Sequence, residues 1–187
     1  MKAILKTLLF LVAVVILSQC KMDDPKVNIP DYNFLNALIE QGVDTNGDGA
    51  ISPDEAKVIA SLGVRKNSIS DLTGIELFVN LETLRCYGNK LTSLDFSKNT
   101  LLTYLNCSFN QLTSLDVSNN TALEWLTCWE NQLTTLDVSN NTALVTLNLN
   151  YIPTLYEVCV WVMPFPPANV SVDKTNSPNV YFTTDCH

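Results

Sequence analysis

Three consecutive 21-residue segments dominate the middle of this 187-residue chain. They read LETLRCYGNKLTSLDFSKNTL (81–101), LTYLNCSFNQLTSLDVSNNTA (102–122) and LEWLTCWENQLTTLDVSNNTA (123–143). A fixed period in the twenties is typical of a solenoid, in which each turn packs only against its neighbours. The repeat therefore predicts an elongated scaffold whose surface is suited to binding.

The segments share the pattern L-x-x-L-x-C-x-x-N-x-L. This pattern resembles the leucine-rich repeat family, with cysteine in a slot often held by leucine. The resemblance implies a mostly β fold, a short leucine-rich-repeat solenoid of 21-residue turns. Free cysteine behaves as a small buried hydrophobe, and metal sites usually need ligand pairs a few residues apart. We therefore interpret Cys86, Cys107 and Cys128 as a buried ladder.

A nested pattern predicts a second strand-like segment in each turn. The run from Leu91 to Ser97 recurs at 112–118 and 133–139 with apolar and polar residues alternating. A degraded fourth turn follows, and a one-residue insertion aligns Leu155 with Leu133 and Val158 with Leu136. A half-turn at 69–81 precedes the array. Asparagines recur after each of the two strands of a turn and are expected to form hydrogen bonds with neighbouring backbone, which is a structural role. They are Asn89, Asn110 and Asn131 after the first strand and Asn99, Asn120 and Asn141 after the second.

Alternation also predicts which side chains of the first strand point away from the core. The outward positions are varied and rich in aromatic rings, whereas the second segment presents a monotonous polar row that includes Asp95, Asp116 and Asp137. Exposed aromatic groups often mark a partner site, although rings also pack on each other across strands. The candidate ligand face comprises Arg85, Tyr87, Tyr104, Phe109, Trp125, Trp129 and Tyr151.

The N-terminal stretch that ends at Cys20 carries an independent signal. Lys2 and Lys6 precede an apolar run at 7–17 that is too short to span a bilayer and suits a secretory leader. The end of this stretch, LSQC, resembles a bacterial lipoprotein box, with Gln19 as a departure. The resemblance implies cleavage before Cys20 and lipid on its thiol; an ordinary leader with an unrelated cysteine is the alternative.

The residues after Cys20 read KMDD, which resembles the acidic tag of Bacteroidetes-type surface lipoproteins. The resemblance implies an outer-membrane, lipid-anchored and extracellular-facing position in a Gram-negative bacterium. Without residues 1–19 the chain keeps nine basic and 19 acidic residues, a net charge of −10. Such an acidic chain is not expected to bind nucleic acid.

Cys159 and Cys186 lie in the non-repetitive tail. In an oxidising compartment we expect these two cysteines to form a disulfide, which would hold a C-terminal cap over the end of the solenoid. The stretch MPFPP at 163–167 is not expected to continue a regular ladder, because proline lacks the amide donor.

Residues 44–55, DTNGDGAISPDE, match the EF-hand calcium loop. Flanking helices are expected at 31–41 and from Pro53 to about Leu62, and together with the loop they resemble the helical cap of internalin-type leucine-rich-repeat proteins. The resemblance implies a structural Ca²⁺ ion. The candidate ligands are Asp44, Asn46, Asp48, the carbonyl of Ala50, Ser52 and Glu55.

The expected organisation is a signal peptide (1–19), a lipidated tether (20–30), an EF-hand-like cap (31–63), the solenoid (64–158) and a C-terminal cap (159–187). No catalytic triad, phosphate loop or zinc cluster is evident, and an enzyme is not expected. The favoured function is recognition of a protein or glycan in adhesion or in contact with a host or neighbour. The alternatives are an accessory subunit of an outer-membrane uptake complex and a structural surface component.

Overall fold

The computed structural model describes residues 25–186. Two short helices, α1 (Tyr32–Glu40) and α2 (Pro53–Lys57), precede a 3-10 helix (Ile75–Leu77) and nine three-residue strands. In these residues no helix is both long enough and apolar enough to cross a bilayer. The strands are β1 (Ser61–Gly63), β2 (Thr83–Arg85), β3 (Tyr104–Asn106), β4 (Trp125–Thr127), β5 (Thr135–Asp137), β6 (Thr146–Asn148), β7 (Glu157–Cys159), β8 (Ser171–Asp173) and β9 (Tyr181–Thr183).

The strands form two parallel sheets, which confirms the predicted solenoid. The first sheet has the order β1-β2-β3-β4-β6-β8, and the second has the order β5-β7-β9. Leu84, Leu105, Leu126 and Leu147 pair in register along the first sheet and are fully buried. The predicted one-residue insertion is also correct, since Leu136 pairs with Val158.

Buried asparagines connect successive turns through their side chains. The Nδ2 of Asn110 donates to the carbonyls of Cys86 and Cys107, and its Oδ1 accepts the amide of Leu91. In the second ladder, Asn120 donates to the carbonyls of Phe96 and Asn99. These bonds satisfy backbone groups at bends where no strand partner is available.

The solenoid begins earlier than the sequence predicted. Helix α2 ends at Lys57 instead of about Leu62, and β1 already pairs with β2 at Ser61–Gly63. The carbonyl of Ala60 accepts the amides of Glu82 and Thr83, which commits this segment to the sheet. Leu62 is therefore a buried strand residue of a complete first turn and not the end of a helix.

The second strand of each turn is less regular than predicted. It is a true strand only at β5, β7 and β9, and the earlier turns contribute a single bridge between Asp116 and Asp137. In those turns the carboxylates of Asp95 and Asp116 accept the amides of Ser97 and Ser118. Asp137 makes the same bond to the Ser139 amide although it lies in β5, so this bond alone does not explain the difference.

The C-terminal tail continues both sheets, which the sequence did not indicate. Strand β8 pairs with β6 and β9 pairs with β7, so the ladders extend into residues 171–183. The prolines stay outside the ladders, as expected, in the loop between β7 and β8, where no ladder amide is needed. Phe165 of this loop packs against Trp161 and Phe182.

The N-terminal helices cover the first turn. Phe34 and Leu38 of α1 and Ile51 before α2 are fully buried in the same core as the leucines of the solenoid. The N-cap residue Asp31 receives the amides of Asn33 and Phe34 on one oxygen. Its other oxygen receives the Ser70 amide and hydroxyl and the Asp71 amide, which joins the helix to the solenoid.

Candidate functional site

The predicted ligand face lies on the first sheet, with its side chains in rows across the strands. One row aligns Thr83, Tyr104, Trp125 and Thr146, and the next aligns Arg85, Asn106, Thr127 and Asn148. Both rows match the alternation expected from the sequence. Strand β8 adds Ser171 and Asp173 to these rows, which the sequence did not predict.

The aromatic side chains of this face form two contacting groups. In the first, the Tyr104 and Trp125 rings stack with centroids 6.4 Å apart, and the Arg85 guanidinium lies 4.7 Å from the centre of the Tyr104 ring. In the second, the Trp129 ring contacts Phe109 at 4.3 Å and Tyr151 at 6.3 Å. Cross-strand packing of rings, one of the two interpretations above, is therefore present.

This packing does not bury the aromatic surface. Trp125, Phe109 and Tyr151 remain 45%, 46% and 47% exposed. The two aromatic groups flank the polar row of Arg85, Asn106, Thr127, Asn148 and Asp173. Trp125 lies in β4 and Trp129 lies just beyond its end, so the face runs from apolar through polar to apolar surface.

Phe109, Glu130 and Tyr151 occupy one recurring position and share an unusual backbone conformation. Their φ angles are 52°, 54° and 51°, and Gly88 holds the same position one turn earlier at 72°. Left-handed backbone is costly for residues with a side chain, especially bulky ones. The glycine at 88 was a signal that the sequence interpretation missed.

Two polar atoms beneath the aromatic face were not anticipated. Ser108 is 1% exposed, and its Oγ has no hydrogen-bond partner among the described residues. The same holds for Oδ1 of Asn150, whose Nδ2 donates to Asp173 at 2.6 Å. Both residues share a position with Trp129 in neighbouring turns, so incompletely satisfied polar atoms lie in the same row as that ring.

The EF-hand-like loop folds as a closed turn with its side-chain oxygens accepting its own amides. Asp44 accepts from Gly47, Asp48 and Gly49, with N–O distances of 2.8, 3.2 and 2.9 Å. Asn46 accepts from Asp48, and Asp48 accepts from Ala50. The Lys26 ammonium lies 3.5 Å from the Asp48 carboxylate, a contact that the sequence did not indicate.

Glu55 closes this loop from the first turn of α2. One oxygen accepts the Ser52 amide and hydroxyl in a capping box, and the other accepts the Thr45 amide and hydroxyl and the Asn46 amide. The hydrogen bond from the Ser52 amide is the largest influence on the pKa of Glu55. Although burial opposes it, the bonds from Thr45 act in the same direction, and the pKa falls to about 2.

The donor set of this loop suits a hard cation, because every candidate ligand is an oxygen. Asp44, Asn46, Asp48 and Glu55 would supply side-chain oxygens, and Ala50 a carbonyl. Within residues 25–186, however, the three carboxylates of the loop do not form a cluster with ligand atoms within 4.8 Å of one another. Binding would therefore require Glu55 to exchange some of its bonds to Thr45 and Asn46 for the ion.

The cysteines fall into two structural groups. Cys86, Cys107 and Cys128 are fully buried, and each Sγ donates to a carbonyl of the next turn. Burial raises the pKa of Cys107 to about 12 and those of its neighbours well above their ordinary value, so these thiols stay protonated. Cys159 and Cys186 form a disulfide with Cα atoms 5.6 Å apart. The lipidation candidate Cys20 lies outside the described residues.

Known proteins share the repeat and the solenoid. Residues 79–120 match the family model described as leucine-rich repeats (2 copies). A 75-residue stretch, 38% of this chain, is 42% identical to Internalin J of Listeria monocytogenes serotype 4b (strain F2365), but it spans only 8% of that protein. The functional domain of InlJ from Listeria monocytogenes, described as including a cysteine ladder, is 30% identical with a TM-score of 0.47 and coverage of 73% and 39% of the two chains.

An internalin, InlF from Listeria monocytogenes str. 4b F2365, has the same fold. It is 17% identical with a TM-score of 0.56, and the match covers 87% of this chain and 59% of that one. The protein is thus a leucine-rich-repeat β-solenoid of about six turns. It has internalin-like relatives, of which it spans only a part.

Proposed function

We propose that this chain is a surface recognition protein that binds a protein partner through the first-sheet face. The observation that carries the proposal is the pair of aromatic groups on that face, with three rings close to half exposed. Large aromatic side chains that become fully desolvated on binding dominate many protein interfaces. The broad polar row between the groups supplies hydrogen-bonding side chains for orientation. A glycan is the alternative partner, since rings also stack on sugars.

The test is binding of the full chain to a panel of host and bacterial surface proteins and to a glycan array. Trp125→Ala should weaken binding by about 30-fold or more, the effect of losing a hot spot worth about 2 kcal/mol. Ser114→Ala, on the exposed polar row of the second segment, is the matched control and should bind normally. Equal affinity of the two variants, with both folded, would refute the assignment of this face.

A calcium ion in the 44–55 loop is the second part of the proposal. The ion would be held by oxygens of six residues and would stabilise the N-terminal cap by binding only the folded loop. These residues are Asp44, Asn46, Asp48, Ala50 through its carbonyl, Ser52 and Glu55. Thermal melts with millimolar Ca²⁺ and with EDTA test this. Wild type should melt higher with Ca²⁺, Glu55→Gln should lose most of that shift, and Asp54→Asn, an exposed neighbour outside the ligand set, should keep it. A full shift in Glu55→Gln would contradict the assignment.

The third part of the proposal is the outer-membrane lipid anchor at Cys20. Metabolic labelling with a fatty acid should mark wild type but not Cys20→Ala, and protease added to intact cells should cleave an extracellular-facing protein. A labelled Cys20→Ala variant would rule out this anchor. The alternatives of an uptake-complex subunit and a structural component predict, respectively, a co-purifying membrane transporter and self-association that is insensitive to Trp125→Ala.

A further inference from the structure

Three potential metal ligands meet at the C-terminal end of the second sheet. Asp137 on β5 pairs in register with Cys159 on β7, and Cys159 is bonded to Cys186, which follows β9. The carboxylate oxygen and the two sulfurs all lie within 4.8 Å of one another. Among residues 25–186 this is the one cluster of three such side chains that meets this distance.

The composition of this cluster differs from that of the calcium loop. Two thiolates and a carboxylate suit a borderline-soft divalent ion such as Zn²⁺, with bonds of about 2.3 Å to sulfur and about 2.1 Å to oxygen. Two sulfurs on a tetrahedral ion lie about 3.8 Å apart. Cysteines with Cα atoms 5.6 Å apart can reach this separation by side-chain rotation, without backbone movement.

The exposure and hydrogen bonding of these three residues would allow a metal ion to bind. Cys159 is 4% exposed, whereas Asp137 and Cys186 are exposed. An ion bound to the Cys159 sulfur would therefore remain accessible to a water ligand. The Oδ1 of Asp137 accepts the Ser139 amide at 2.8 Å, which orients the carboxylate and leaves Oδ2 available. The nearby Glu157 carboxylate is engaged by the Tyr181 hydroxyl.

We propose that Cys186 is linked to β7 in either of two ways. In the oxidised protein the link is the Cys159–Cys186 disulfide, and in the reduced protein it is a Zn²⁺-type ion bound by Asp137 and the two thiolates. A dithiol reductant breaks the sulfur–sulfur bond, is itself oxidised to a disulfide, and leaves two protonated cysteines. The divalent ion then replaces the two thiol protons, which are released to solvent. Either state ties Cys186 to β7 and so keeps the last turn closed.

The polar row of the second segment provides a matched control for this site. Asp116 has the same position one turn earlier and the same bond to a serine amide, but the cluster with the cysteines contains only Asp137. A site that depends on geometry should therefore be lost in Asp137→Asn and kept in Asp116→Asn. The calcium loop is remote in sequence and has no sulfur ligand, so failure of one proposal leaves the other intact.

The experiment uses the full chain with Cys20→Ser, reduced with a phosphine, desalted without oxygen and titrated with Zn²⁺. Isothermal titration should give one site in the reduced protein and none in the oxidised protein. Protection of two thiols from a thiol-specific reagent and the thiolate-to-metal absorption of Cd²⁺ should appear together. Affinity should fall at least tenfold in Asp137→Asn and stay unchanged in Asp116→Asn. It should be recovered in Asp137→His, which supplies a nitrogen ligand in place of the carboxylate oxygen.

Equal affinity in Asp137→Asn and Asp116→Asn would overturn the role of Asp137. Binding that survives in oxidised protein, or in the double variant Cys159→Ser and Cys186→Ser, would overturn the site itself. Circular dichroism of each variant separates loss of the ion from loss of the fold. Because Asp137 is exposed, its substitution is expected to leave the fold unchanged.

Discussion

The Asp31 carboxylate joins helix α1 to the solenoid through hydrogen bonds to both. It accepts five hydrogen bonds, two from the first turn of α1 and three from Ser70 and Asp71. Burial opposes ionisation, but the bonds from Ser70, Phe34 and Asp71 outweigh it, so the pKa of Asp31 is lower than its ordinary value of 3.8. The ionised form is therefore the one that stabilises the fold.

Asp31→Asn should destabilise the protein by about 2 kcal/mol, because hydrogen bonds to the charged carboxylate are lost. An asparagine keeps one acceptor oxygen, so either the two donors of the helix or the three donors of the solenoid then face an NH₂ group. Each lost bond to a charged acceptor costs about 1 to 1.5 kcal/mol at a partly exposed site. These losses overlap, which keeps the total near the lower end.

Urea denaturation followed by circular dichroism measures this loss. The control is Asp71→Asn, because the Asp71 carboxylate accepts only the neighbouring Thr73 amide and hydroxyl and should cost at most about 0.5 kcal/mol. The wild-type contribution should be complete above pH 3.8 and be lost as the pH falls through the lower, folded-state pKa. Asp31→Asn should lack this acid-dependent part. A loss below about 0.5 kcal/mol, the range of ordinary surface substitutions, or equal losses in both variants would refute the reasoning.

Three further substitutions test other parts of the solenoid. Glu130→Asn should raise the free energy of unfolding by about 0.5 to 1 kcal/mol, because asparagine tolerates φ 54°. The control Glu124→Asn should give no such gain, and thermal denaturation of both variants tests this. Ser108→Ala should be neutral or stabilise by up to about 1 kcal/mol in urea titration, and a clear loss would show that its Oγ is satisfied. Gly74→Ala should cost about 2 to 4 kcal/mol, since its Cβ would lie 2.8 Å from Ile29 Cγ1 at φ 104°; Gly63→Ala, with its nearest atom at 4.0 Å, is the control.

The regular turns of the solenoid were predictable because their period fixes both the core and the register. Each leucine returns once in every repeat, so the pairing of Leu84 with Leu105 follows directly from the period. The outer turns escaped prediction because they break this period. Leu147 pairs with Val172, which is farther along the chain than one repeat, since the proline-containing loop lengthens that turn. Strand β1 has a single buried residue, Leu62, which carries no recognisable pattern by itself.

The sequence predicted which residues of the candidate face point outward, but it did not predict all the contacts between their side chains. Register alone placed Tyr104 beside Trp125, whereas the contact of Phe109 with Trp129 depends on a left-handed backbone that a sequence pattern does not reveal. The meeting of Asp137 with Cys159 and Cys186 depends on β9 joining the second sheet. That strand lies in the tail for which the sequence predicted a disulfide-linked cap but no strand.

The shared register of β2, β3 and β4 has a consequence for how such a gene can change. The same positions of the repeat pair between β2 and β3 and between β3 and β4. Removing the codons for residues 102–122 would therefore bring Leu84 against Leu126 and leave the asparagine and cysteine ladders continuous. Duplication or loss of one whole segment would lengthen or shorten the aromatic band by one strand spacing, about 4.8 Å. Recombination between repeats can thus adjust the reach of this surface in fixed steps while preserving its core.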